Sequence, residues 1–335
     1  MTVPGLDTDA VAGWLAQRLD FVPPLRFARF GHGSSNLTYR IEDPAGGSWV
    51  LRRPPLGELL ASAHDMGREY RVLDALARAA QPVPRPLALC TDPSVTGAEF
   101  YVMEHVRGIV LDREDVAASL TPARRRAAAV SMMETLAKLH VLDVDAAGLG
   151  DYARRDAYAE RQLRRWRRQW ELSRTFEDLR AERVATRLAE RIPPQQGAAV
   201  VHGDYRLDNV VVDEDGTVRA ILDWELSTLG DPLADVGLLI AYTPRSRDEV
   251  LPIHDGVMLL EGIPEPAELA EIYARASGRS LDALGYWVAF GCWKAAIILQ
   301  GVYRRWLDNP DDSGAGGLEP TVKRLLRRAE EELSR

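Results

Sequence analysis

A chain of 335 residues, 46% apolar and 27% charged, is long enough for two lobes with their own cores and has the composition of a globular protein, not of a fibrous or disordered one. Its formal net charge of −8 gives no overall basic footprint for nucleic acid. The two cysteines, Cys90 and Cys292, are far apart, which excludes a disulfide framework and a cysteine-rich metal site.

Met1 to Asp20 has no basic n-region and no long apolar run, so it predicts an amphipathic helix capped near Asp7 and a cytoplasmic protein. Leu25 to Phe30, Tyr39 to Glu42, Trp49 to Leu51, Pro86 to Cys90 and Phe100 to Glu104 read as strands, with Pro44-Ala45-Gly46-Gly47 as a hairpin turn. One helix, about Ala63 to Ala79, interrupts them. After Gly108 the pattern becomes helical: Pro122 to Leu139, Asp156 to Leu172, Glu177 to Arg191, Pro232 to Ala241, Glu265 to Ala276, Leu281 to Trp306 and Pro320 to Leu333. Pro193 to Gly197 is a short breaker. Ala283 to Tyr303 reaches the length of a membrane span, but Lys294 at its centre would cost about 3 kcal/mol on insertion scales, so a buried helix is expected and no membrane partner.

The chemistry concentrates in Val201-His202-Gly203-Asp204-Tyr205-Arg206-Leu207-Asp208-Asn209 and Ile221-Leu222-Asp223-Trp224. Phosphoryl transfer from Mg-ATP needs an Asp that takes the acceptor's hydroxyl proton, an Asn five positions on that helps hold Mg²⁺, and a second metal-holding Asp. Asp204, Asn209 and Asp223 fit those roles in order. Val210 to Asp213, the turn Glu214-Asp215-Gly216 and Val218 to Leu222 read as a β-hairpin that would bring Asn209 and Asp223 side by side. An acidic hairpin can also be a plain solvated turn. Upstream, Gly31, Gly33, Ser34, Ser35 and Asn36 lie between strand-like runs, where backbone N–H groups could approach phosphate oxygens without Cβ obstruction. Taken alone, such a cluster reads equally as a turn.

These motifs, together with Leu51-Arg52-Arg53-Pro54-Pro55, Ala63-His64-Asp65 with Arg68-Glu69-Tyr70, and Arg161-Gln162 with Arg165-Trp166, resemble the aminoglycoside phosphotransferase and choline kinase superfamily. More specifically they resemble the kinase domain fused to acyl-CoA dehydrogenases in some eukaryotes and free-standing in many bacteria. The resemblance runs from about Phe27 to Trp306. It implies an α+β, protein-kinase-like two-lobed fold, with a small N-terminal β-sheet lobe carrying one main helix and a larger, mostly helical C-terminal lobe. The implied boundaries are 1–103 for the nucleotide-binding lobe, 104–108 for the hinge and 109–335 for the catalytic and acceptor-binding lobe. At the hinge, Glu104 would offer its carbonyl and Val106 its N–H to adenine, with Met103 lining the pocket. The Asp matching Asp235 would brace the catalytic loop by bonding its backbone, and His202 reads as a loop-packing residue.

A kinase also needs a cation on the phosphates, itself held by a Glu. Glu69 suits the second role. Arg52 stands where most kinases carry Lys, and Arg53 or a more distant cation remains an alternative. Only twelve positions separate Asp223 from Asp235, too few for a protein-docking activation segment, so a small-molecule acceptor is expected. Arg161 to Trp170 holds five arginines and no acid. It reads either as a tryptophan core stripe with a solvated basic face or as an anion-binding wall in which Arg161, Arg165 and Trp166 hold the acceptor. The combined reading is an ATP- and Mg²⁺-dependent small-molecule phosphotransferase acting on a hydroxyl, with a hydroxyacyl-CoA favoured by the resemblance. An aminoglycoside or aminoalcohol kinase and a catalytically silent nucleotide-binding regulator are the alternatives.

Overall fold

The computed structural model describes residues 3–30, 36–56, 65–251, 255–310 and 314–335. The chain divides into two compact units. One comprises Met1–Arg107 with Ala220–Glu225, the other Gly108–Arg219 with Leu226–Arg335.

The first unit opens with α1 (Thr8–Leu15), whose N-cap Asp7 accepts the Ala10 N–H at 3.0 Å. Strands β1 (Arg26–Arg29), β2 (Leu37–Glu42), β3 (Ser48–Arg53), β4 (Pro86–Cys90) and β5 (Phe100–Glu104) form one antiparallel sheet in the order β1-β2-β3-β5-β4. Alternation sends Tyr39, Ile41 and Leu51 into a core with Leu15, Phe100 and Val102. It places Arg52, paired in register with Tyr101, on the opposite face of β3. Helix α2 (Met66–Arg78) starts at its cap Asp65, whose carboxylate accepts the Arg68 N–H at 2.8 Å. Ala63 and His64, expected within that helix, lie outside the described residues. The inner face of α2 buries Met66, Val72, Leu73 and Leu76, and with them one charged residue, Glu69.

The second unit contains β6 (Ile109–Val110), α3 (Glu114–Ala118), α4 (Pro122–His140), α5 (Tyr158–Ser173), α6 (Leu179–Glu190) and β7 (Ala199–Val201). Strands β8 (Val210–Val212), β9 (Val218–Ile221) and β10 (Thr228–Gly230) follow, then α7 (Leu233–Tyr242), α8 (Pro266–Ser277), α9 (Leu284–Asp308) and α10 (Leu318–Glu332). β6, β8 and β9 form one small sheet and β7 pairs with β10. The expected hairpin is therefore present, closed by Asp213 and Thr217, whose backbones bond at 2.9 Å. From the second half of β9 the chain enters the return segment Ala220–Glu225, which clusters with the first unit although its place in the sequence suggests the C-terminal lobe. The arginine-rich helix begins at Tyr158 and not at Asp156, because Ala157 takes a left-handed conformation (φ 50°). The short β6, α3 and β10 have too few residues for a periodic signal and were not expected.

Helix α9 packs on α7 almost backbone to backbone. A Cβ on Gly237 would lie 2.3 Å from the Trp287 carbonyl oxygen, and one on Gly291 would lie 2.7 Å from that of Gly237. This approach buries α9 from Trp287 through Ala296 and takes the lone charge of that stretch, Lys294, into the interior. Among the described residues no helix is long and apolar enough to cross a membrane.

Candidate active site

Within the first unit, Arg52 of β3 meets three carboxylates. Its Nε lies 3.1 Å from Glu69 Oε2, and its Nη2 contacts Asp223 and stands 3.5 Å from Glu225 Oε2. Glu69, 2% exposed, also accepts from Tyr101 Oη and Asn36 Nδ2, both at 3.0 Å, and the Asn36 amide reaches Glu225 at 3.0 Å as well. Burial pushes the Glu69 carboxyl up to about 7; Arg52 opposes this, and the charges of Asp223 and Glu225 reinforce it. Burial alone would lower the Arg52 guanidinium, but Asp223 and Glu69 outweigh it and hold it well above its ordinary value. The pairing expected for a phosphate-gripping cation is therefore made by Arg52. Arg53 is engaged elsewhere: its guanidinium is buried and donates to the carbonyls of Gly5, Pro54 and Thr96.

Asp223, two residues past the end of β9, lies in the left-handed region (φ 63°), a costly conformation for a residue with a Cβ. Its neighbour Trp224 is fully buried and bonds the Ile221 carbonyl at 3.0 Å, which fixes the turn. The Asp223 side chain stays one-third exposed. Three carboxylates around one guanidinium leave an excess of negative charge, and all the donors are oxygens. That chemistry fits Mg²⁺, which takes one or two protein carboxylates and completes its shell with phosphate and water. Among the described residues no group of three or more His, Cys, Asp or Glu side chains forms a ready-made metal cage.

At the end of β5 in the same sheet, Met103 is buried and Glu104 exposed, with the Glu104 N–H donating to the Arg85 carbonyl at 2.9 Å. Val106 follows in non-repetitive structure. Asn36 is placed as above; Gly31, Gly33, Ser34 and Ser35 lie outside the described residues.

Within the second unit, the loop after β7 carries the other set. Asp235, fully buried on α7, accepts the N–H groups of His202 at 2.7 Å and Gly203 at 2.8 Å and so braces the loop. Burial alone would raise its carboxyl, but the bond to His140 (3.2 Å) and the Gly203 N–H hold it below the ordinary range. His202 packs in the loop, its Nδ1 accepting the Asp204 N–H at 3.2 Å. Gly203 has φ 87°, and a Cβ there would come within 2.7 Å of the Leu226 carbonyl oxygen, so only glycine lets the chain turn at this point. The turn presents Asp204 at the surface of the unit.

Asn209 lies in a short 3₁₀ turn, and its Nδ2 donates to the Asp204 carbonyl at 2.8 Å and to Asp204 Oδ2 at 3.2 Å. Its amide nitrogen is thus committed, leaving Oδ1 as the atom able to ligate a cation. Arg206, which the motif reading passed over, lies 3.5 Å from Asp204 Oδ1 and 3.0 Å from Asp208 Oδ2, with its guanidinium 5.0 Å from the centre of the Tyr242 ring. A solvent-open concavity borders this group. Leu111, Leu207, Leu239, Tyr242, Val257 and Met258 give it a mainly apolar wall.

The arginine-rich helix divides its side chains between both expected readings. Trp166 and Trp170 are buried, Trp166 bonding Gln162 Oε1 at 3.1 Å. Arg161 donates to the carbonyls of Arg154 (2.6 Å) and Leu229 (3.3 Å), so it ties main chain together. Arg165 is exposed, its guanidinium 5.2 Å from the Trp166 ring. On the same ring, 5.4 Å from its centre, lies Lys294 Nζ, which donates to the Gly203 carbonyl at 2.5 Å. The apolar run around Lys294 was the available signal that this charge has a partner.

Residues 26–287 match the family model described as phosphotransferase enzyme family. The chain is 39% identical over 288 residues to acyl-CoA dehydrogenase family member 10 of Mus musculus, across 85% of this chain and 27% of that protein. It therefore spans about a quarter of the length of that relative. A solved structure from Ralstonia eutropha JMP134, provisionally assigned as an aminoglycoside phosphotransferase, superposes with a TM-score of 0.78 at 33% identity, covering 97% of this chain and 98% of that one. Amicoumacin kinase in complex with AMP-PNP and Ca²⁺ shares the fold at a TM-score of 0.64 and 15% identity, over 96% of this chain and 94% of its own. The mixed architecture, an antiparallel sheet unit and a largely helical one, is that of the protein-kinase-like phosphotransferases.

Proposed function

The chain belongs to the phosphotransferase enzyme family, and from that membership we propose that it transfers the γ-phosphoryl group of Mg-ATP to a hydroxyl of a small anionic metabolite, a hydroxyacyl-CoA being the favoured acceptor. The observation that carries this reading is the Asp204 carboxylate, presented on a loop braced by Asp235 and oriented through Asn209 and Arg206. In this reading Asp204 takes the proton from the acceptor hydroxyl as its oxygen attacks phosphorus. Arg52 keeps Glu69 at its Nε and turns its Nη2 from Asp223 and Glu225 to grip the α- and β-phosphates. The hinge backbone at Glu104 and Val106 would bond adenine over Met103, and Gly31, Gly33, Ser34, Ser35 and Asn36 are the residues proposed to meet the phosphates. Asp223 and the Oδ1 of Asn209 would hold Mg²⁺, which when bound supplies neutralisation of the charge on the transferring group. A kinase of this fold solved with AMP-PNP and a divalent cation supports the nucleotide and metal requirement.

The Arg52 role has its own test. Arg52→Ala should weaken Mg-ATP binding roughly tenfold to a hundredfold, the worth of about 1.5–3 kcal/mol of charge-assisted bonding, while Arg52→Lys keeps measurable affinity and turnover. Equal calorimetric affinity for the wild type and Arg52→Ala would remove Arg52 from the nucleotide site.

For the acceptor, the apolar wall beside Arg206 suits an acyl chain, and the exposed Arg165, backed by the buried Trp166, suits the phosphates of a CoA moiety. Arg161 belongs to that anion-binding wall only as a structural support, since its guanidinium bonds main chain. One observation favours an aminoalcohol acceptor instead: the concavity also includes Asp112, Asp208 and Asp255. Two of these are engaged, Asp208 by Arg206 and Asp255 by the Glu114 N–H at 2.9 Å, so the aliphatic reading leads. Arg165→Ala should raise the KM for a hydroxyacyl-CoA roughly tenfold to a hundredfold and leave that for ATP nearly unchanged, and added salt should weaken wild-type acceptor binding. An unaltered acceptor KM, with aminoalcohols phosphorylated in place of CoA thioesters, would reverse the assignment.

A further inference from the structure

Lys294 is one of only three lysines among 42 basic side chains. It sits in the apolar middle of α9, 6% exposed, where an ammonium is costly unless its charge is met. Its Nζ donates to the Gly203 carbonyl at 2.5 Å and lies over the Trp166 ring. Gly203 is the left-handed pivot of the loop, and its carbonyl belongs to the planar peptide that leads into Asp204. Asp235 grips the two preceding N–H groups and Lys294 grips this C=O, so an anion and a cation together fix the rotation of that peptide. The close approach of α7 and α9 at Gly237 and Gly291 brings both side chains to one loop.

We propose that Lys294 is a positioning residue for phosphoryl transfer, holding the Gly203–Asp204 peptide so that the Asp204 carboxylate meets the acceptor hydroxyl. This rests on the reading of Asp204 as the group that takes the acceptor proton. Exchanging Lys294 alone would leave the Gly203 carbonyl without its donor and Asp204 and Asp235 without an opposing charge, so the residue stabilises the loop as well as orienting it, and the kinetic readout is what separates the two. The charged groups facing the ammonium are Asp204 on the loop, Asp235 on α7 and Arg165 on α5; His140 and His202 meet Asp235 from behind. Burial lowers the ammonium to about 8, the two carboxylates oppose that shift, and Arg165 adds to it. The charge that holds the loop is therefore present below about pH 8 and lost above it.

Two measurements on the full chain test the proposal. Lysine labelled with ¹³C at Cε gives three NMR signals, from Lys138, Lys294 and Lys323, with that of Lys294 identified by its loss in Lys294→Arg. It should titrate near pH 8, and at lower pH in Asp204→Asn, where an attracting charge is gone. With hydroxybutyryl-CoA as acceptor and at a temperature where the variant is folded, Lys294→Met should have a lower Tm but keep its calorimetric Mg-ATP affinity and lose at least tenfold in kcat, and the alkaline fall of wild-type kcat should move upward in Lys294→Arg. A Lys294 signal indifferent to Asp204→Asn, or a folded Lys294→Met with kcat within twofold of wild type, would overturn the proposal. If hydroxybutyryl-CoA is not turned over at all, the acceptor assignment has failed and the NMR titration still decides Lys294.

Discussion

Asp204→Asn is expected to bind Mg-ATP with nearly wild-type affinity and to lose roughly 10²–10⁴ in kcat, the usual worth of a positioned general base. The substitution is isosteric, and Asn209, Arg206 and the Asp235 brace all remain, so the loop keeps its shape. What is lost is the capacity to accept a proton. Isothermal calorimetry beside steady-state kinetics separates the two effects, and a variant with near-wild-type kcat would show that Asp204 is not the base.

Asp223→Ala should fail differently. Removing this carboxylate should abolish the Mg²⁺-dependent part of nucleotide binding, a weakening of at least tenfold in calorimetry, before any effect on the chemical step is read. Binding that remains equally Mg²⁺-dependent would sink the assignment. The same variant has a second signature in the apo protein. Glu69 is raised to about 7 by burial first and by Asp223 and Glu225 after it. A carboxyl raised on folding binds its proton more tightly in the native state, so through this group stability is greatest below its unfolded value near 4.5 and falls as pH rises toward 7. Loss of the Asp223 charge should narrow that window, so urea midpoints at pH 5 and pH 7.5 should differ less in Asp223→Ala than in wild type through this group.

Much of this site was legible because phosphoryl transfer imposes spacing. Asp204, Asn209 and Asp223 are recognisable from their order and from the hairpin between the last two, and Glu69 and Asp235 follow from the same frame. The strands of the first unit were legible because alternation drives them, as with Tyr39 and Ile41 against Leu51. Contacts made across long sequence separations were not. Arg206 carries no signal beyond its charge until Tyr242 is placed under it, and Lys294 looked only like an obstacle to a membrane span until α9 packed beside Gly203. The arginine-rich helix misled in part because a basic run does not say where each guanidinium points. Arg161 turned to main-chain carbonyls, while Arg165 remained at the surface. Strand register separates Arg52 from Arg53: adjacent residues face opposite sides, one toward Glu69 and the other toward the carbonyls of Gly5 and Thr96.

The most direct test of the account is transfer itself. The protein is incubated with Mg²⁺, ATP labelled with ¹⁸O in its γ-phosphoryl group, and either hydroxyacyl-CoAs or aminoalcohols, and the products are weighed by mass spectrometry. The account predicts that a hydroxyacyl-CoA gains one labelled phosphoryl group on its hydroxyl, that ADP forms in equal amount, and that both products vanish with Asp204→Asn. Mg-ATP binding with no labelled phosphate on any acceptor would contradict it and leave a nucleotide-binding regulator as the better description.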